Sequence, residues 1–238
     1  MSSRIQEKER RKAERLAAQR RAEEAAAKKR RLQMVGGGLV AVAIVVALAV
    51  ALLGGGSSTA GLSANSSVSQ DIAGIKLPAA KITDLKQAAA AAGCTLHTYP
   101  AEGRTHVTVP VTYKTNPPTS GNHDPIPATD GVYASANTPA KEHFVHTLEH
   151  GRVEYQYRPG TPVAQIKELE ALWNETYMGA PGYKQLLFQN NTNMPYAVAA
   201  TAWTQLIGCP TFNPKIFDAL RDFRNAYIDK GPEQIPPT

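Results

Sequence analysis

The sequence predicts an α+β protein: a single N-terminal transmembrane helix, then an exported domain with a mixed, mainly antiparallel sheet and packed helices. Three observations carry this. Met34–Leu53 is a run of twenty residues without a charge. Beyond residue 80, helical and strand-like periods follow one another without a regular βαβ alternation. Two cysteines, Cys94 and Cys209, are the only ones in 238 residues.

Residues 1–33 hold 12 of the 26 Lys/Arg and 5 of the 20 Asp/Glu, a local charge of +7, so the rest of the chain carries −1. A basic nucleic-acid-binding surface on the main domain is therefore not expected, because phosphate neutralisation needs clustered Lys and Arg. The tail is rich in Ala, Glu, Arg and Lys and reads as a solvated helix. Its few large aliphatics (Ile5, Leu16, Leu32) cannot form a heptad seam, and anionic lipid headgroups are the expected partner.

A twenty-residue helix spans about 30 Å, the hydrocarbon thickness of a bilayer. The 33 residues before the run are too many for a cleaved signal peptide, so 34–53 reads as an uncleaved signal anchor. Lys28–Arg31 precede it, and no charge follows it closely. The positive-inside rule then puts the N-terminus in the cytoplasm and everything after Leu53 outside. Residues 54–80, rich in Gly, Ser and Ala, read as a flexible linker, and the folded domain as 81–238.

Within that domain the periodicity predicts a helix at 82–92 stopped by Gly93 and strands near 95–99 and at 106–115. A proline-rich loop at 116–140 follows, then a short helix at 140–150, a strand at 152–158 and a helix at 162–178. Strands at 184–190 and 196–207 and an amphipathic helix at 214–229 complete the pattern. In an exported chain an isolated cysteine pair reads as a disulfide, Cys94–Cys209. The alternatives are a redox pair, against which the long separation argues, and metal ligation.

Four of the six histidines lie between residues 123 and 150. On the short helix His143, His146 and His150 are three and four residues apart, with Phe144, Val145 and Leu148 on the opposite face. Two histidines four apart on a helix are spaced to share one metal ion, so His146 and His150, with His123 from the preceding loop, are the predicted ligands. Glu149 is expected beside them as a partner of the ligands. Neutral imidazoles suit zinc and copper alike, and Met178 and Met194 would add soft donors for Cu(I). His146-Thr-Leu-Glu-His150 also matches an inverted zinc-peptidase pattern, but Gly151 ends the helix that pattern needs. Ser120 sits in a proline-rich loop, not on the strand-to-helix turn a nucleophile uses.

The runs Tyr113…Asn116-Pro117-Pro118-Thr119-Ser120-Gly121-Asn122-His123, Gly131-Val132-Tyr133 and Val145–Gly151 resemble the bacterial domain of unknown function 3105 family. The resemblance extends over roughly residues 70–230 and implies a single-span membrane protein with an exported C-terminal domain. It implies no activity. Two function classes follow: an exported histidine-based metal-binding domain, or a non-enzymatic cell-envelope interaction module whose histidines are ordered hydrogen-bonding groups. No nucleophile or activated water can be placed, and no protein partner is indicated.

Overall fold

The computed structural model describes residues 72–237. The basic tail, the expected span at Met34–Leu53 and the linker up to residue 71 lie outside the described residues. Among the described residues no helix is long and apolar enough to cross a membrane.

The domain is mixed α+β. Helix α1 (Leu85–Ala92) leads into β1 (Thr95–Thr98), and a long loop follows to β2 (Gly131–Val132). Then come α2 (Lys141–Glu149), β3 (Val153–Tyr157), α3 (Val163–Trp173) and the hairpin strands β4 (Thr176–Tyr177) and β5 (Ala180–Pro181). The chain ends with β6 (Gln185–Gln189), β7 (Val198–Ala202), β8 (Gln205–Cys209) and α4 (Ile216–Tyr227). Six strands form one sheet in the order β1-β8-β7-β3-β6-β2. The β1–β8, β8–β7 and β7–β3 pairs are antiparallel, and β3–β6 and β6–β2 are parallel.

Strand alternation assigns the two faces. Val153, Tyr155 and Tyr157 of β3 and Leu187 of β6 join a core with α1, α3 and α4. Leu186 and Phe188 point the other way and pack with Phe144 and Val145 of α2. Helix α1 is short and well ended: Asp84 accepts the Gln87 N–H at 2.9 Å, and Gly93, at φ 71°, turns the chain out. Its buried alanines, Ala88, Ala89 and Ala92, let it lie close against α4. From Leu77 onward the segment before α1 also packs on this core, with the Lys81 and Ile82 N–H groups donating to Asp218. Cys94 and Cys209 are joined by a disulfide, one residue beyond the Thr95–Gly208 register pair of β1 and β8. In the chain-entropy model, closing a loop with a sequence separation of 115 stabilises by about 4–5 kcal/mol.

Four sequence expectations change, the first being that β2 (Gly131–Val132) lies inside the stretch expected as a loop at 116–140. The alternating run at 106–115 is not a strand; only His106 forms a bridge. Pro110 has no N–H, and the N–H groups of Val111, Lys114 and Thr115 are taken by the Glu142 and Glu102 carboxylates at 2.8, 2.8 and 3.2 Å. The helix expected at 162–178 stops at Trp173, and the chain turns through Met178 and Gly179, both at positive φ, to make β4–β5. The strand expected at 196–207 is a hairpin, β7–β8, turning at Trp203–Thr204.

The polar face of β3 is buried too. Glu154 is fully buried under α2. Thr147 Oγ1 donates to the Phe144 carbonyl at 2.6 Å and also lies 2.8 Å from Glu154 Oε1. One hydroxyl has one proton, so at that second contact the proton belongs to Glu154. Its other oxygen accepts from Thr201 and Gln156. Geometry thus makes Glu154 a neutral acid, and burial pushes its pKa up to about 8. In the unfolded chain the group ionises near the ordinary carboxylate value. The stability this acid form confers is full below that value and is lost as pH rises through about 8. Between pH 6.5 and 8.5 the melting temperature should fall steadily, and Glu154→Gln should flatten the slope by most of its value. A parent melting temperature independent of pH in that window contradicts the neutral acid.

Candidate metal centre

An imidazole is oriented by what its second nitrogen meets, and one stretch of loop meets three of them. His123 Nδ1 lies 2.8 Å from the Gly121 carbonyl, His146 Nδ1 2.7 Å from that of Asp124, and His143 Nδ1 2.6 Å from that of Ile126. A carbonyl oxygen only accepts, so each Nδ1 carries the proton. In the neutral ring Nε2 then keeps its lone pair, the form that binds a metal ion.

The sequence builds this loop locally. Gly121 is at φ 133°, and a Cβ there would stand 2.8 Å from the Tyr113 ring. The Asp124 and Ala128 N–H groups donate to the Glu142 and His143 carbonyls, tying the loop to α2. His106 arrives from the other side: Val107 N–H donates to the His123 carbonyl at 2.8 Å, and His123 N–H donates to that of Thr105 at 3.1 Å. These two bonds form the parallel His106–His123 bridge.

His106, His123, His146 and Glu149 each offer one ligand atom, and these atoms lie within 4.8 Å of one another. All but His106 are buried. Glu149 Oε2 stands 2.9 Å from His123 Nε2, yet Nε2 makes no hydrogen bond. Both observations hold: the approach is close but off the direction a hydrogen bond needs. A tetrahedral ion with bonds of about 2.1 Å needs ligand atoms about 3.4 Å apart, so the set, with atoms up to 4.8 Å apart, is slightly open. Burial, then the neighbouring His150 and His123, push the His146 pKa down to about 3. Burial pushes Glu149 the other way, above its ordinary value.

With the cluster described, the comparisons can be read against it. The profile of a family described as protein of unknown function (DUF3105) matches residues 106–237. The chain belongs to that family. No curated protein and no solved structure gives a significant match. In this DUF3105 chain the matched stretch opens at His106 and contains all four clustered residues.

Of the predicted ligands, the structure brings His123 and His146 together and sets His150 beside them. The His150 ring lies edge-on to that of His146, centroids 4.4 Å apart, and its Nε2 is 3.5 Å from Glu233. The reason is positional. His150 caps α2, where the C-terminal segment crosses: Glu233 N–H donates to the Glu149 carbonyl at 2.9 Å. Arg152 clamps the same segment by donating to the carbonyls of Ile235 and Pro236 and to both oxygens of Asp130. Gly231 passes so near that a Cβ would stand 2.2 Å from the Glu149 carbonyl.

The cluster includes His106, which the sequence does not single out, and Glu149, which the sequence places beside the histidines as a partner. The available signal was the i, i+3 spacing of His146 and Glu149, which faces two side chains together as well as i, i+4 does. His106 carried no such signal, because its nearness depends on the loop bridge. The methionines lie elsewhere: Met178 is exposed in the β4–β5 turn, and Met194 packs with Ala199 and Leu206. Ser120 is buried, its Oγ accepting the Glu102 N–H.

Burial, with the nearby Arg152 charge, also lowers the His150 pKa, to about 4. For a histidine whose folded value is depressed, the stability contributed is present above the unfolded value near 6.5 and is lost as pH falls toward the folded one. Ring-nitrogen NMR shifts of metal-free protein should show His146 and His150 neutral down to pH 5. Titration of either ring at pH 6 or above contradicts the burial described.

Proposed function

We propose that this DUF3105 chain is a membrane-anchored, extracytoplasmic transition-metal-binding protein, with the ion held by His106, His123, His146 and Glu149. The observation that carries the reading is His123 Nε2, a buried nitrogen without a hydrogen bond, turned toward a carboxylate and grouped with two more imidazoles. Such a nitrogen is costly to bury unless something occupies its lone pair. The donor set is three nitrogens and one oxygen without thiolate, which suits Zn(II) or Cu(II) better than Cu(I). The backbone carbonyls on Nδ1 of His123 and His146 act as orienting partners of the ligands. His150 stands at the rim as a packing neighbour of His146.

Extracytoplasmic placement rests on the charge step around Met34–Leu53 and agrees with the disulfide, since structural bridges persist in oxidising compartments. The basic tail, on this reading, meets anionic lipid on the cytoplasmic side.

The metal test uses the untagged full chain in mild detergent, stripped by chelator and titrated with Zn(II) and Cu(II). Replacing His123 and His146 together by Ala should weaken binding at least about a hundredfold, and His150→Ala less than about tenfold. Affinity should fall with acidification, because Glu149 must shed a proton that burial favours, while His146 enters the ion-free site already neutral. A parent that binds neither ion more tightly than the double variant overturns the metal reading.

Topology is tested separately. A reporter active only outside the cytoplasm, fused at Thr238, should give signal. Activity there of a reporter that works only in the cytoplasm overturns the anchor and its orientation.

A further inference from the structure

The Tyr113…His123 run gives its last residue to the histidine cluster, while its first half has no part there. Thr112, Tyr113, Asn116 and Pro118 of that half line a cavity of about 330 Å³, within the size of small-ligand sites. Lys141, at the start of α2, and Asn191 and Thr192, in the β6–β7 connection, line it too. The lining is held in place. Asn116 Nδ2 donates to the carbonyls of Thr192 and Asn193 at 3.0 and 3.2 Å, and its Oδ1 accepts the Thr192 hydroxyl at 2.7 Å. Asn191 Nδ2 donates to the Pro139 carbonyl at 2.9 Å, and the Tyr113 hydroxyl to that of Asn122 at 2.8 Å. Three side-chain groups of the lining make no hydrogen bond among the described residues. They are the Thr112 hydroxyl, Asn191 Oδ1 and the Lys141 ammonium, which stands 4.0 Å from the Glu142 carboxylate.

We infer that this cavity binds an anionic saccharide, its hydroxyls on Thr112 and Asn191 and its acidic group on Lys141. The inference stands apart from the metal reading, since no lining residue belongs to the histidine cluster. Pro118 alone among the lining side chains has no polar atom, so an apolar ligand would strip water from polar groups and pair with none of them. No lining residue lies in a strand, so a peptide finds no sheet edge to extend. A bare anion would meet one ammonium and no second cation. A saccharide matches the lining on each count. Its hydroxyls can donate to an amide oxygen and pair with a threonine hydroxyl, and its C–H faces can lie on Tyr113 and Pro118. One carboxylate or phosphate then takes the Lys141 ammonium in a charge-assisted bond. Lys141 Nζ stands over the Tyr113 ring, 5.7 Å from its centroid, so charge and ring serve the same ligand.

The experiment uses the full chain in mild detergent, stripped of metal so that no anion can bind through an ion at the histidines. Glucuronate, glucose 6-phosphate, glucose, acetate and inorganic phosphate are titrated in separate arms. Binding is read from the amide signals of Thr112, Asn116 and Asn191 in nitrogen–proton correlation NMR. The parent is compared with Lys141→Gln and Thr112→Val, and circular dichroism checks that both variants are folded. Glucuronate or glucose 6-phosphate should shift these signals and bind at least about tenfold more tightly than glucose or the free anions. Lys141→Gln should weaken that binding about tenfold and Thr112→Val about fivefold. Whichever sugar acid responds tells carboxylate from phosphate. No shift with any sugar overturns the inference and leaves the metal reading untouched. Acetate or phosphate binding as tightly as the sugar acids overturns the saccharide, and glucose binding as tightly overturns the part of Lys141. Unchanged affinity in both variants overturns this cavity as the site.

Discussion

A buried imidazole has two nitrogens to satisfy, and His123, wholly inside the domain, has only one of them in a hydrogen bond. The arrangement around it follows from that requirement. Gly121 must be glycine so that its carbonyl can reach Nδ1 while the backbone clears the Tyr113 ring. Helix α2 must be oriented so that His146 and Glu149 face the remaining nitrogen. The chain before Val107 must run beside His123, since the two backbone bonds of their bridge bring His106 to the same spot. Were Nε2 left to itself, the cost would be that of an unmet buried polar group, about 1–3 kcal/mol.

Helix α2 is unusual in that both of its faces are buried. Phe144 and Val145 lie on Leu186 and Phe188 of the sheet, while His146 and Glu149 lie under the loop. Between them Thr147 reaches down to Glu154, the neutral acid on the strand below. Its C-terminus is closed by the strap from Asp229 to Pro236, which Arg152 clamps and which Gly231 allows to lie against the Glu149 carbonyl. The helix is therefore fixed from the sheet, the loop and the chain end together. A helix held on three sides keeps His146 and Glu149 grouped with His123.

Much of this was legible in the sequence, and the boundary of legibility is physical. Elements whose hydrophobic period faces one core were found: α1, α2, β3, β6 and α4 all lie where periodicity puts them. The cysteine pair was read from its number and compartment, and the structure joins it. The β7–β8 hairpin does not show in the sequence, because its turn uses Trp203 and Thr204 and has no glycine to mark it. The 106–115 run alternates like a strand, yet side-chain carboxylates take its N–H groups, and alternation says nothing of that. At the site, the helical spacing puts His146 and His150 on one face, and the structure groups His146 with the loop histidine His123. The nearness of His106 depends on the loop's path, and the contact of His150 with Glu233 on a residue more than eighty positions later in the chain.

The irregular loop leaves its carbonyls available to the imidazoles. In a β-ladder the carbonyls of residues 121, 124 and 126 would be bound to a neighbouring strand, with none left to hold an imidazole proton. Here Glu102 and Glu142 receive the loop's N–H groups and so replace the ladder's donor side. Tyr113 adds to this by donating its hydroxyl to the Asn122 carbonyl at 2.8 Å. The loop is thereby fixed without spending the three carbonyls that fix His123, His146 and His143. Prolines at 110, 117, 118, 125 and 127 contribute in the same direction, since each removes an N–H that would otherwise need a partner. A stretch that reads as a break in secondary structure is, on these terms, the part of the chain whose backbone is free to orient the histidines.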